Sequence, residues 1–153
     1  MLILPQRDIA RKRGSIGLPG PYTDCWIADK DGNELPPNEV GELVASGPAV
    51  MDGYWNMPEA TANALANGVL HTGDLCFRDE EGYFYIKDRE KDVYISGGEN
   101  VYPLEIEKIL STHPGVTDVA IIGVPDEKWG EVGRAFVICK KAVHQQKKNC
   151  LIS

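Results

Sequence analysis

The sequence lacks any long apolar run near its start. Only three apolar residues separate Met1 from Pro5, against the roughly 20 needed to cross a bilayer. Neither export nor membrane insertion is expected. A basic excess is also missing. Sixteen Lys and Arg stand against 23 Asp and Glu, a formal charge of −7, so no cationic surface exists to displace counterions from a nucleic acid. The short clusters Arg7, Arg11, Lys12, Arg13 and Lys140, Lys141, Lys147, Lys148 read as solvated surface. Paired cysteines are absent too. Cys25, Cys76, Cys139 and Cys150 are widely spaced with no C-x-x-C, which excludes zinc-ligand spacing and a disulfide framework and fits reduced thiols in the cytoplasm. His71, His113 and His144 lie far apart and read as surface or turn residues, so no metal site is expected. There is no H-E-x-x-H, Ser/His/Asp set or nucleophile elbow, and no internal repeat.

What is present is 153 residues with 42% hydrophobic content, enough for one ordinary domain or two small ones. Tyr22 to Asp29 predicts a strand followed by a turn at Asp31-Gly32, and Glu42 to Ser46 predicts a second strand. Pro58 to Leu65 predicts a short helix, opened by proline and stopped by Asn67-Gly68. Asp74 to Arg78 and Tyr83 to Lys87 form a hairpin pattern around Gly82. From Lys91 the pattern changes to strand, helix, strand, strand: Lys91 to Ser96, Pro103 to Thr112, Val116 to Val124 and Val132 to Cys139. Ile106, Ile109 and Leu110 are expected to share the buried face of that helix. The largely charged stretch from residue 88 to 91 is a plausible boundary, and HQQKKNCLIS at the end should be loose.

Three stretches carry chemistry. HTGD at 71–74 places a glycine-flanked Asp74 at the expected head of a strand, where an ionised carboxylate can accept two hydrogen bonds from adjacent hydroxyls such as those of ribose; the same pattern also suits a plain turn. Arg89, fifteen residues later and beyond the hairpin, could return to Asp74 and offer its fixed donors to an oxygen-rich ligand, or belong to the charged run Lys87 to Asp92. Ser96-Gly97-Gly98-Glu99-Asn100 lies between an expected strand and an expected helix, but lacks both the Gly-Lys-Ser/Thr and the G-x-G-x-x-G nucleotide fingerprints. The aromatics of GYW at 53–55 and KWGE at 128–131 read as packing at a sheet edge.

Taken in order, GELVASGPAVMDGYW (41–55), HTGD (71–74), GYFYIKDREKD (82–92), SGGENVYPLEIE (96–107) and VPDEKWGEVGRAFV (124–137) resemble the adenylate-forming superfamily, in its acyl-CoA synthetase (AMP-dependent acid:CoA ligase) branch. The resemblance covers about residues 14–141 and is similar to the C-terminal part of such enzymes. It implies an α+β fold: a β-rich, barrel-like subdomain over 1–88, belonging to the large AMP-binding domain, then a hinge at 89–91. A small C-terminal domain with a mixed sheet and packed helix would occupy 92–143, ahead of a disordered tail over 144–153. It implies that the intact enzyme joins a carboxylic acid, ATP and coenzyme A, with Mg²⁺, into acyl-CoA, AMP and pyrophosphate through an acyl-adenylate. In that frame Asp74 and Arg89 hold the ribose of ATP or AMP, Lys91 is the hinge, and Gly97, Gly98 and Glu99 line the coenzyme A tunnel.

The family's Ser/Thr/Gly-rich phosphate loop, its acyl pocket and its P-x-T-x-x-G-K lysine segment find no counterpart in the sequence. The chain is therefore expected to be a fragment without catalysis of its own, able to pair with a complementary N-terminal domain. Alternative readings are a non-catalytic interaction module, or part of a luciferase-like or carrier-loading enzyme. Purified chain supplied with ATP, Mg²⁺, coenzyme A and a panel of fatty and aromatic acids is predicted to release no pyrophosphate above background, and steady turnover would contradict this.

Overall fold

A computed structural model describes residues 2–140. The tail expected over 144–153, with His144 and Cys150, lies outside the described residues. The chain divides into two compact units, Met1–Glu90 and Lys91–Ser153. No helix among the described residues is long and apolar enough to cross a membrane.

The first unit is built on seven strands: β1 (Leu2–Ile3), β2 (Ser15–Pro19), β3 (Asp24–Ala28), β4 (Gly41–Ser46), β5 (Leu65–Ala66), β6 (Val69–Arg78) and β7 (Phe84–Arg89). They lie in the order β1-β2-β7-β6-β4-β3, with β5 added against the start of β6, and each pairing is antiparallel. Ile27, Leu43, Cys76 and Phe84 from β3, β4, β6 and β7 form its core, with Leu2, Ile16, Leu35 and Ile86 packed against them. One short helix, α1 (Pro58–Ala64), begins with proline at its first turn, as predicted.

Two expectations for this unit need correction. Asn67-Gly68 does not stop the helix, which ends at Ala64 with Leu65 already extended. Both residues have positive φ, 53° and 78°, and they form the two-residue turn between Ala66 and Val69, the geometry that matches the twist of a hairpin. Arg11 and Lys12 are not loosely solvated either. Lys12 Nζ donates to Asp79 Oδ2 at 2.7 Å and Glu81 Oε1 at 2.6 Å, and Arg11 Nε donates to Asp8 Oδ1 at 2.8 Å. The buried Asp8 also accepts from the Tyr83 hydroxyl at 2.7 Å, while Asp79 Oδ1 accepts the Glu81 and Tyr83 amides at 2.9 Å. The N-terminal segment is thereby fastened to the β6–β7 turn.

The second unit contains β8 (Tyr94–Ser96), β9 (Glu99–Val101), α2 (Pro103–Ser111), β10 (Val116–Asp126) and β11 (Gly130–Cys139), with its sheet ordered β10-β11-β8-β9. The α+β class holds. The sheet expected to be mixed is antiparallel at each described pairing, because tight turns rather than crossovers join β8 to β9 and β10 to β11. Tyr94, Val119 and Ile121 form the core, covered by Ile106 and Leu110 of α2. Ile109 is 70% exposed, against expectation, because one helical step of 100° from Leu110 carries it off the narrow face that β10 covers. Gly123 and Gly133 face each other across β10–β11, and a Cβ on either would fall within 2.5 Å of the Tyr94 side chain, so this glycine pair makes room for the ring. Glu107 Oε1 accepts the Ile121 amide at 2.7 Å and blunts the outer edge of β10.

The fastening in the first unit depends on pH. The Tyr83 hydroxyl and Arg11 hold Asp8 below the ordinary carboxylate range, and Lys12 and Arg11 do the same for Glu81. Burial pushes Asp79 up, but Lys12 and the turn amides outweigh it and leave Asp79 lowered. Depressed carboxylates contribute stability that is present above their unfolded values, roughly 4, and is lost as pH falls through the folded ones. The urea midpoint is predicted to drop as pH falls below about 4, and Lys12→Met to lower it at neutral pH while flattening the acid limb. An unchanged acid limb in Lys12→Met would contradict this account.

Candidate functional site

HTGD lies within β6, not at the head of a strand as expected. Between the register pairs Glu42↔Leu75 and Val44↔His71, β4 advances two residues while β6 uses four. The two surplus residues form a bulge over Thr72, Gly73 and Asp74. An interrupted ladder leaves backbone groups that need other partners. The Thr72 hydroxyl donates to the Leu43 carbonyl at 2.7 Å and accepts the Asp74 amide at 3.1 Å. Glu42 Oε1 accepts the Gly73 amide at 2.9 Å, and Glu42 Oε2 lies 2.8 Å from His71 Nδ1. Gly73 has φ +70°, the left-handed region that glycine adopts without strain.

The bulge presents Asp74 directly opposite Arg89 on β7, and Arg89 Nε reaches Asp74 Oδ1 at 3.2 Å. The expectation that the hairpin brings these two residues together is met by the geometry. The Asp74 side chain is 26% exposed and that of Arg89 62%, so both remain open to a ligand. The neighbouring Cys76 is fully buried, and burial, with a smaller contribution from the Asp74 charge, pushes its thiol up to about 12. It is no nucleophile. An open recess of about 360 Å³ nearby is lined by Trp26, Lys30, Val44 and His71, but not by Asp74 or Arg89.

The glycines of the second unit differ from expectation in their setting. Gly97-Gly98 does not lead from a strand into a helix; it is the two-residue turn of the β8–β9 hairpin, closed by Ser96↔Glu99, with φ of 60° and 90°. Its glycines are thus required by the primed turn itself. Gly97 donates its amide to the Trp129 carbonyl at 2.9 Å, and a Cβ there would lie 2.8 Å from the Trp129 ring, whereas one at Gly98 would meet nothing within 4 Å. Glu131 also accepts the Ile95 amide at 3.0 Å. The β10–β11 turn therefore braces the glycine turn, and Trp129, read from sequence as edge packing, is its buttress.

Comparison with known proteins bears on what these two places are. The family model described as "AMP-binding enzyme" matches residues 1–55, and that described as "AMP-binding enzyme C-terminal domain" matches residues 105–152. The chain belongs to the AMP-binding enzyme family. It is 51% identical over 138 residues to a feruloyl-CoA synthase of an Amycolatopsis species, an alignment covering 90% of this chain and 28% of that protein. It is 50% identical over 133 residues to a long-chain-fatty-acid–CoA ligase of Escherichia coli, covering 87% of this chain and 24% of the ligase. Among solved structures, o-succinylbenzoate CoA synthetase from Bacillus subtilis in complex with its acyl-adenylate superposes with a TM-score of 0.86 at 40% identity, covering 93% of this chain and 29% of that one. The chain spans less than a third of the length of the curated relatives it matches.

Sequence reasoning singled out Asp74 and Arg89 but missed Glu42 and Thr72, whose partners appear only once β4 and β6 are in register. Among the described residues no three His, Cys, Asp or Glu side chains come together as a metal-ligand set. The bracing of the glycine turn makes a prediction. Gly97→Ala and Gly98→Ala both place an L-residue at positive φ, at about 1–2 kcal/mol, but only the first also meets the Trp129 ring. Gly97→Ala is therefore expected to lower the urea midpoint more than Gly98→Ala, and Trp129→Ala to shrink the difference; equal effects in the native background would contradict the buttress.

Proposed function

We infer that this chain is the ribose-holding and thiol-side part of an AMP-forming acid:CoA ligase, which converts a carboxylic acid, ATP and coenzyme A to acyl-CoA, AMP and pyrophosphate through an acyl-adenylate. The observation that carries the reading is the Asp74–Arg89 pair, opposed in register across β6 and β7 and open to solvent. The names of the relatives and the acyl-adenylate in the solved neighbour support it, as does a second complex of that neighbour with ATP and magnesium ion.

The chemistry of the donor set fits a ribose. An ionised Asp74 accepts hydrogen bonds from two vicinal hydroxyls, each charge-assisted and so stronger than a neutral one. Arg89 Nε lies 3.2 Å from one carboxylate oxygen, which orients Asp74, and the remaining guanidinium donors are available to ligand oxygens. The pair thus binds and positions a nucleotide; it does not itself move a proton. Lys91, first residue of the second unit, is the proposed hinge, since a hinge needs only to absorb a change in φ and ψ. Gly97, Gly98 and Glu99 are proposed to line the passage for the pantetheine arm of coenzyme A, a reading supported by the open space at Gly98, where a Cβ would meet nothing within 4 Å. A cytoplasmic setting accords with Cys25, Cys76 and Cys139 as free thiols.

A chimera tests the reading. Residues 14–140 of this chain would replace the matching segment of the B. subtilis o-succinylbenzoate CoA synthetase, and adenylate and thioester formation would be followed separately. The chimera is expected to make both products. Within it, Asp74→Ala should cut adenylate formation by about 10- to 100-fold, the worth of one or two hydrogen bonds to a charged group. A folded but inactive chimera, or an Asp74→Ala chimera as active as its parent, would contradict the assignment.

A further inference from the structure

We propose that Glu42 is a positioning residue for the nucleotide site: by holding the Gly73 peptide it fixes the bulge that sets Asp74 opposite Arg89. The inference rests on the ribose reading for its functional meaning, but its structural content stands apart from it.

The Gly73 peptide is gripped from both neighbouring strands. From β4, Glu42 Oε1 accepts its amide at 2.9 Å. From the end of β7, the amide of Glu90 donates to its carbonyl at 3.0 Å. Asp74 is the next residue on one side of this junction, and Arg89 precedes Glu90 on the other, so the relative placement of the pair is set through Gly73. Glu42 cannot swing freely, because its second oxygen lies 2.8 Å from His71 Nδ1 and its side chain is only 21% exposed. The bulge contains Gly73 at φ +70°, with nothing within 4 Å of where a Cβ would stand, so no side-chain packing holds that position. Hydrogen bonds must therefore do so, and of the described side chains only Glu42 bonds the Gly73 amide. Loss of a hydrogen bond to a charged acceptor leaves the amide to find another partner, and a glycine-containing bulge can move to find it.

The test uses the full 153-residue chain with AMP as the probe. Nuclear magnetic resonance reads the Gly73 amide shift and the Overhauser contact between Arg89 Hε and the Asp74 methylene, first without ligand and then through an AMP titration. Glu42→Ala should shift the Gly73 amide, abolish the Arg89–Asp74 contact and weaken AMP binding about tenfold, while the Tyr83 and Tyr94 amides stay at their native shifts. Glu42→Gln, whose carbonyl still accepts the Gly73 amide, should retain the contact and most of the affinity. If Glu42→Ala does not fold, Glu42→Asp replaces it, since its carboxylate falls one methylene short and should lose the same contact. Persistence of the Arg89–Asp74 contact in Glu42→Ala or Glu42→Asp would overturn the proposal. Loss of the contact in a chain whose native form does not bind AMP would support the positioning role and overturn the ribose reading alone.

Discussion

The candidate site depends on one irregularity, the two-residue surplus in β6 opposite β4. In a regular strand the side chains of His71, Gly73 and Leu75 would share one face and those of Thr72 and Asp74 the other. The bulge breaks that alternation and leaves ladder groups without backbone partners. Two side chains supply them: Thr72 to the Leu43 carbonyl and Glu42 to the Gly73 amide. Such a feature costs regular pairing, and in return it re-aims a carboxylate so that it meets a guanidinium on the next strand and still faces solvent. The core beneath, with Cys76 and Phe84 fully covered, gives the bulge a rigid base.

The second unit shows the same economy in a different form. Its glycine turn stands on a hairpin of three-residue strands, too short to be rigid alone. Rigidity comes from outside the hairpin, through the Trp129 carbonyl on the Gly97 amide and Glu131 on the Ile95 amide. Tyr94 anchors the base of β8 in the gap left by Gly123 and Gly133. A flexible two-glycine turn is thus held at defined points while its outer glycine, Gly98, faces open space.

Much of this is legible in the sequence where the signal is local. β10, β11 and the hairpin that returns Arg89 to Asp74 follow from β-branched runs bounded by turn residues, and proline marks the start of both helices. The ordered set of motifs points to the family without any knowledge of the fold. Illegible features are those decided by pairing between distant segments. Asn67-Gly68 and Gly97-Gly98 are turn residues in any reading, and only the short pairings across them, two residue pairs for β5–β6 and three for β8–β9, make them hairpin turns. Arg11 and Lys12 look like surface charges until the β6–β7 turn, some 67 residues on, meets them. Glu42 looks like the polar position of an alternating strand. Its role depends on the register of β6, which one residue of slip would change altogether.

The central claim is that Asp74, held by the bulge and paired with Arg89, recognises a vicinal diol. Comparing the affinity of the 153-residue chain for AMP with that for 2′,3′-dideoxy-AMP tests it most directly, because the two ligands differ only in the hydroxyls in question. The account predicts that AMP binds at least about tenfold more tightly, the worth of one hydrogen bond to a charged group, and that the difference disappears in Asp74→Ala. Equal affinity for the two nucleotides, or a preference for AMP that survives the loss of Asp74, would contradict it.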